Sequence, residues 1–593
     1  GKHHMSRVGL SILSNLGMKP FVASTPVEYL ARATAISGNL QALAKIRTSL
    51  RQRMAVSALC DANAFSGKVE AAYRKMWQRW CRAQHTDTAG EKCAVGSDSK
   101  QTKDNVLEFF ISKNSDLQLT VSKAALPPFL LKAGDAVRVG EVSEAAALLD
   151  DQAVKTVRQM AENDPGRTDA LFMLAVLFAK IGQVKKAEQF YKEVQKHRPH
   201  SLVLFELANI CRDTGRLSEA IRYQQQAIEL SPDSQELWTT LAEYLIRMGQ
   251  TQRGIDILRK AVAISPDKVN HSKFLWHLHQ SPQLDQDMLF EEHKRWARIH
   301  APADLARVSH DNVADPDRRL RIGYISPDFC GHSVAYFFES ILDGHNRDTV
   351  DVYGYGDIAC PDQVTEHLKG KFDHYRNICG LHDKKVVRMI EQDRIDILVD
   401  LAGHTSGNRL GILAYKPAPI QLTYLGFPDT TGMSQIDYRL TDELADLPEA
   451  QKFHTEKLVF LPQGFLCYSP PGFAPPVTEL PAIEKGVFTF GSFNNNCKIQ
   501  PGIMELWAGI LKSTEKSRLL LKFGGGDDEA VREHYFGQLE NLGIPRQRVE
   551  ICGRKSTIEH FKLYGRMDIA LDTHPYNGTT TTCEAMWMGV PTI

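Results

Sequence analysis

Three short segments carry side chains whose types and spacing could do chemistry. In GSFNNNCKIQP (491–501) a β-rich run ends at Phe493, an asparagine cluster with Asn495 follows, and Lys498 comes next. A lysine just past a strand end can reach a leaving diphosphate as a compact positive charge. The same pattern also reads as an Asn N-cap beside a solvated lysine. In DTHPYNGTTTTCEAMWMG (572–589) a strand turns through Pro575, Asn577 and Gly578 into a helix that begins at the threonine run. Backbone N–H groups at that helix start, with the hydroxyls of Thr579, Thr580 and Thr581, make a site for an anion. Glu584 falls about one turn into the helix, where a carboxylate could hold a ribose through two hydroxyls. A helix that is merely well capped would carry the same residues. In SPDFCGHSVAYF (326–337) His332 sits in the loop after a strand, and in GHTSG (403–407) His404 sits similarly. An imidazole there could act as general base or touch a substrate, and a packed structural histidine is the alternative for either. GFPDTTG (426–432) ends a third strand and would line the same cleft.

No metal-ligand constellation accompanies these residues. Asp442 and Glu443 in TDELAD do not form a DxD flanked by strand residues, so a diphosphate would rest on Lys498 and helix-end amides instead of a cation. The 71 Lys and Arg balance the 71 Asp and Glu, so no global field favours nucleic acid or an anionic membrane. There is no run of about 18 apolar residues and hence no spanning helix to expect. The 11 cysteines are dispersed without CxxC or Cys/His spacing, which reads as reduced thiols in the cytoplasm.

Positioning those segments requires strands. From Arg318 onward β-rich runs alternate with helical stretches: RIGYIS (321–326), VDVYGYG (350–356), IDILVDLAG (395–403) and PIQLTYLGF (419–427). After a Pro-rich passage the rhythm restarts with VFTFGSF (487–493), RLLLKF (518–523), RVEICG (548–553) and DIALDT (568–573). This is the pattern of two parallel, helix-covered Rossmann-like sheets with a ligand cleft beyond their carboxyl ends.

Before them lies a repeat. Pro165, Pro199, Pro232 and Pro266 recur every 33 or 34 residues, with Ala175, Ala208 and Ala242 in the first helix of each period and Gly182, Gly215 and Gly249 at the turn. Small residues in the second helix (Ala187, Ala220, Gly254) let two helices approach closely. This resembles the tetratricopeptide repeat, whose stacked units present a concave groove for extended peptide. The expected fold class is therefore α plus α/β: a repeat superhelix and two Rossmann-like lobes.

RIGYISPDFCGHSVAYFFES, DILVDLAGHTSGNRLGILAYKPAPIQLTYLGFPDTTG, FTFGSFNNNCKIQP and LDTHPYNGTTTTCEAMWMGVPTI closely resemble the SPINDLY / O-GlcNAc transferase family. Those proteins join tetratricopeptide repeats to a two-lobed GT-B glycosyltransferase domain. The resemblance implies inverting, metal-independent transfer of a sugar from a nucleotide donor to Ser or Thr of proteins. UDP-GlcNAc is the donor favoured here; GDP-fucose, or a scaffold without catalysis, is the alternative. It places Lys498 on the donor diphosphate, Thr579–Thr581 at the phosphate-binding helix start, Glu584 in the place of a ribose-binding acid, His560 near the donor base and His332 as the acceptor-side base. The base-contacting lysine of animal relatives falls on Thr557, and Asn495 and Asn496 also depart from the animal pattern. Protein acceptors would enter through the repeat groove, with neither nucleic acid nor membrane as partner.

HMSRVGLSILSNLG and the segments up to MWQRW resemble the C-terminal end of the same catalytic domain, although they stand at the start of this chain. A few residues of the kind xTLxG are the gap that the family pattern expects between Ile593 and Gly1. A window from tandem modules or a circular permutation would produce this arrangement. The domains expected are a helical section of the catalytic domain at 1–85, a linker at 86–134, repeats at 135–275, a helical connection at 276–317, a first catalytic lobe at 318–470 and a donor lobe at 471–593. The apolar helix faces of 1–85 are expected to dock on 486–593.

Overall fold

The computed structural model describes residues 2–84, 106–110, 118–122, 126–163 and 168–593. They form two compact units. One holds the N-terminal helices with Pro266–Asp527 and His534–Ile593; the other holds the helical array up to Ser265 with Asp528–Glu533.

In the array, Thr168–Lys180 packs on Val184–His197, Ser201–Asp213 on Leu217–Leu230 and Gln235–Arg247 on Thr251–Ile264. Each pair turns on a left-handed glycine: Gly182 at φ 79°, Gly215 at 72° and Gly249 at 89°. A side chain there would be strained, which is why the turn keeps its glycine. The small residues sit at the helix contacts: Ala175, Ala187, Ala208, Ala220 and Ala242 are fully buried. At Gly254 a Cβ would lie 2.4 Å from Ile246 Cγ1. Pro165 lies outside the described residues, as does most of the segment read as a linker. Within that segment Val106–Phe110 and Gln118–Ser122 pair antiparallel, and a helix Pro128–Val139 runs through the boundary drawn at 134. Pro128 at its first turn sets that start.

The other unit begins with four helices, α1 (Val8–Asn15), α2 (Pro26–Ser37), α3 (Leu40–Ala55) and α4 (Ala62–Gln84). It resumes with α5 (Lys268–Leu278) and α6 (Gln286–His300), so α5 runs through the boundary drawn at 275. The first sheet follows: β1 (Leu320–Ser326), α7 (Ala335–Gly344), β2 (Val350–Gly356), β3 (His374–Asn377), β4 (Ile397–Asp400), β5 (Ile420–Thr423), β6 (Tyr438–Thr441) and β7 (Lys457–Phe460). Its order is β3-β2-β1-β4-β5-β6-β7, all parallel. The second is built from β8 (Phe488–Ser492), α8 (Pro501–Ser513), β9 (Ser517–Lys522), β10 (Val549–Cys552), α9 (Thr557–Tyr564), β11 (Ile569–Ala570) and α10 (Thr580–Trp587). Its order is β10-β9-β8-β11, again parallel. The central strands β4, β5 and β8 are buried at every residue, the polar Asp400, Gln421, Thr423 and Thr489 included, as in a parallel sheet covered on both faces. Sequence reading missed β3, β6 and β7, four-residue strands at or near the sheet edges whose partly exposed residues interrupt the apolar signal.

The N-terminal helices divide their attention. α2 packs on α8 and α3 on α10, so this part does lie on 486–593. Tyr29 donates to the Asp572 carbonyl (2.9 Å), and Arg51 donates to the Trp587 carbonyl (2.7 Å). The wholly buried Arg47 donates to the Thr478 carbonyl, the Thr478 hydroxyl and the Met567 carbonyl at 2.7–2.8 Å. Helix α4 corrects the expectation: it packs on α7 and β5 of the first lobe. Its buried stripe of Phe65, Val69, Tyr73, Met76 and Trp77 recurs at helical spacing and covers that sheet. Ser66 donates to the Ser340 and Ile341 carbonyls, and Trp77 donates to the Asp315 carbonyl (2.8 Å). The crossing is close because residue 344 is glycine; a Cβ there would sit 2.3 Å from the Ala62 carbonyl oxygen.

Candidate active site

Strand β11 hands the chain to a turn closed by one buried carboxylate. Asp572 Oδ1 accepts from Thr573 N (2.8 Å), Gly578 N (2.6 Å) and Asn494 Nδ2 (3.2 Å). Burial still pushes its pKa up to about 6 against the pull of those donors. Thr573 Oγ1 donates to the Tyr576 carbonyl (2.7 Å) and Asn577 Nδ2 to the Thr573 carbonyl (2.8 Å), so the turn is bonded to itself. Only glycine fits at 578, where a Cβ would meet Thr581 Oγ1 at 2.5 Å and Asn494 Oδ1 at 2.9 Å. Helix α10 then starts. Thr581 Oγ1 donates to Asn494 Oδ1 (3.0 Å) and Thr582 Oγ1 to the Gly578 carbonyl (3.1 Å), while Thr579 at the N-cap makes no side-chain cap bond. Thr579 and Thr580 are half-buried. A helix start with uncapped amides and adjacent hydroxyls is disposed to hold an anion.

Lys498 reaches the same turn. Its Nζ donates to the Asn577 carbonyl (2.9 Å) and lies 3.9 Å from the centroid of the Tyr576 ring. These neighbours hold the ammonium without neutralising it, and burial lowers its pKa from 10.5 to about 8. Between pH about 8 and 10.5 the unfolded chain holds the proton that the folded one has lost, so this group's contribution to stability rises with pH across that window. Function runs the other way. If the ammonium meets the donor, kcat/KM falls as pH rises through about 8. Saturating donor, an anion beside the ammonium, shifts that fall to higher pH in the kcat profile. Rate profiles taken from pH 6 to 10 at low and high donor check both statements; coincident, flat profiles above 8 would contradict them.

A second patch adjoins it. Glu584 is buried in the first turns of α10; His560 Nε2 donates to its Oε2 (2.9 Å) and the Tyr564 hydroxyl to the same oxygen (3.2 Å). His560 and Tyr564 stand four residues apart on α9 and so share a face. Phe493 lies 5.6 Å from the His560 ring and 4.7 Å from the Tyr564 ring, and the Lys522 ammonium lies 6.0 Å from Phe493. His560 Nδ1 is buried without a partner. Rings, a carboxylate and a spare imidazole nitrogen are what a heterocycle on a ribose would use.

On the first lobe His332 stands half-exposed in the loop between β1 and α7, its Nδ1 3.3 Å from Asp328 Oδ1. Burial raises the pKa of Asp328, whose Oδ2 has no partner. His332 Nδ1 also accepts from Val334 N (3.4 Å), and a carboxylate at this distance would steady the protonated form of an exposed imidazole acting as a base. A small cavity of about 40 Å³ lies among the strand-end loops of both lobes, lined by His4, Met5, Gly426, Tyr576, Asn577 and Thr579 among others.

One sequence-derived assignment changes. His404 is wholly buried, with Nε2 donating to the Thr431 carbonyl (2.9 Å), Nδ1 accepting from Ser272 Oγ (3.2 Å) and the Trp296 ring 4.6 Å away. Both nitrogens are engaged, burial holds its pKa well below 6.5, and no nitrogen remains for a substrate proton. Asn495 is exposed and caps the short turn Asn496–Lys498 through Cys497 N (3.3 Å). Asn494, one residue earlier, is the asparagine bonded to the threonine helix. Sequence reasoning also passed over Asp572, Tyr564 and Tyr576. Tyr564 carried a legible signal, four residues after His560; Asp572 and Tyr576 act through a turn whose closure only the tertiary fold sets. Among the described residues no group of three or more His, Cys, Asp or Glu is placed to hold a metal ion.

Comparisons with known proteins bear on the family and the fold. Residues 299–469 and 479–593 match the family model for glycosyl transferase family 41, and residues 130–201 and 212–272 match tetratricopeptide repeat models. A probable UDP-N-acetylglucosamine–peptide N-acetylglucosaminyltransferase SPINDLY of Solanum lycopersicum is 44% identical over 312 residues, 52% of this chain and 34% of that protein. Its Arabidopsis thaliana counterpart is 42% identical over 337 residues, 56% and 37% of the two chains. The solved structure of a mutant Thermobaculum terrenum O-GlcNAc transferase aligns with TM-score 0.65 at 33% identity, covering 72% of this chain and 82% of that one. The chain spans about a third of the length of the SPINDLY relatives it matches.

Proposed function

This chain belongs to glycosyltransferase family 41, and we propose that it transfers N-acetylglucosamine from UDP-GlcNAc to Ser or Thr hydroxyls of proteins with inversion. The observation that carries this reading is the Lys498 ammonium 2.9 Å from the Asn577 carbonyl, three residues before the threonine helix start. One positive charge and one set of free amides converge where a nucleotide sugar's diphosphate would lie. The acceptor oxygen attacks the anomeric carbon as the bond from that carbon to the diphosphate oxygen breaks. His332 takes the hydroxyl proton, and Asp328 steadies the resulting imidazolium. Negative charge growing on the leaving diphosphate is met by Lys498 and the amides of α10, so that no metal ion is required of the donor site. Glu584 holds the ribose, and His560 with Phe493 holds the base. The repeats bind the acceptor protein, and the reaction belongs to the cytoplasm, in keeping with the reduced thiols.

Donor binding tests the assignment. At a hundredfold excess over Kd a ligand adds ~2.7 kcal/mol of stability, enough for a measurable rise in melting temperature. UDP-GlcNAc is expected to raise it and GDP-fucose not. The reverse result would reassign the enzyme as a protein O-fucosyltransferase, and silence from both would leave a repeat scaffold without catalysis.

A further inference from the structure

A second cavity lies away from the residues above. About 410 Å³ opens between α4 and the face of β6 and β7, with Met76, Val459, Phe460 and Leu461 among its walls. The gap has a cause in sequence: Ala71 and Ala72 stand where larger side chains would have filled the space between helix and sheet. Four cations line it, Lys68, Lys75 and Arg79 from α4 and Lys457 from β7, and no carboxylate does. On α4 the three lie at i, i+7 and i+11, one helical face, the same face that carries Ala72 and Met76. Lys68 Nζ bonds the neutral Gln463 Oε1 (2.8 Å), and the nearby acids are engaged elsewhere: Asp437 by Lys416 (2.7 Å) and Glu70 by His345 (2.7 Å). Like charges gathered without counter-charge repel one another, and an apolar wall open to water is unfavourable. A single molecule that is apolar at one end and anionic at the other relieves both.

We infer that this cavity binds an amphipathic anion, an acyl or aromatic body bearing a carboxylate, sulfonate or phosphate head. The body lies on Met76, Val459 and Leu461, and the head faces Lys75, Arg79 and Lys457. The charge rules out a neutral lipid as the preferred occupant, and the apolar wall rules out a bare inorganic anion. None of these residues belongs to the proposed donor or acceptor sites, so the inference stands or falls independently of the transferase reading.

The test uses the full chain and anilinonaphthalene sulfonate, an anionic aromatic whose fluorescence rises in an apolar site. Saturable one-to-one binding in the micromolar range is expected, displaced by laurate or dodecyl phosphate and not by inorganic phosphate or dodecyl maltoside. The charge reversal Lys75→Glu with Arg79→Glu is expected to weaken it at least about tenfold. Ala71→Trp, on the exposed side of α4, is expected to abolish it by filling the space while melting temperature and sugar transfer stay unchanged. Absence of saturable binding overturns the inference, and so does binding unaltered by both the reversal and the plug. Displacement by dodecyl maltoside as efficient as by laurate would also overturn it, since the cations would then select nothing. Displacement by inorganic phosphate alone would overturn the apolar half.

Discussion

Lys498→Ala is expected to lower kcat by about 10²–10³-fold, a loss of ~3–4 kcal/mol, while donor affinity changes far less. The asymmetry follows from where the charge stands. In the proposed complex the ground-state diphosphate already carries its charge and is shared among the amides and hydroxyls of α10. Charge then grows on the leaving oxygen as the glycosidic bond breaks, and an ammonium fixed beside it gains most at that moment. Here the ammonium is fixed before any donor arrives, by the Asn577 carbonyl and the Tyr576 ring. Preorganised charge in a partly desolvated place acts without reorganisation cost. Because the same nitrogen also bonds the turn, the alanine variant needs a stability control. Its melting temperature is expected to move little, since one ammonium-to-carbonyl bond contributes only about 1.5–3 kcal/mol and alanine also removes a buried charge. Single-turnover transfer to a peptide, with donor Kd from calorimetry, separates the effects. Unchanged turnover with normal donor binding would remove Lys498 from the mechanism, and equal losses in both would reduce it to a binding residue.

Arg47→Met is expected to destabilise the folded chain by ~3–5 kcal/mol and with it to abolish transfer at elevated temperature. Arg47 is among the largest fully buried side chains. Its guanidinium satisfies two carbonyls, of Thr478 and Met567, and the Thr478 hydroxyl. Burial lowers its pKa to about 10, so it stays charged under ordinary conditions. Methionine keeps much of the volume and forms none of these bonds, leaving acceptors buried and unpaired. Gly589 admits the arrangement: a Cβ there would lie 2.7 Å from the Arg47 carbonyl oxygen. Urea denaturation reads the loss directly. A change under about 1 kcal/mol would mean that the Arg47 bonds add little to what holds α3.

The chemistry-bearing segments were legible because each carries several coincident signals. The threonine run follows a turn-forming Pro, Asn and Gly and precedes an apolar helix, so strand, turn and helix start could be placed to within a residue or two. Lys498 was legible by its distance past a strand end. His332 and His404 show the limit of that reasoning. Both follow strands of one sheet in Gly-containing loops, and nothing in their local sequence separates them. One is half-exposed beside Asp328; the other lies under Trp296 and Phe427 with both nitrogens bonded. Likewise the Asn triplet announced a polar strand end without saying which member would turn inward.

Sequence alone determined the repeat, the two strand–helix rhythms and the strand–turn–helix that carries the threonine run, because these depend on contacts within about 30 residues: helical periodicity, glycine conformation and capping chemistry. Tertiary structure decided what depends on distant partners. It separated the exposed histidine from the packed one, put Asn494 rather than Asn495 on the threonine helix, sent α4 to the first lobe while α3 stayed on the second, and left space beside Ala71 and Ala72. Each of those outcomes turns on which surface arrives to bury a group, and burial is a property of the whole fold rather than of the residues on either side.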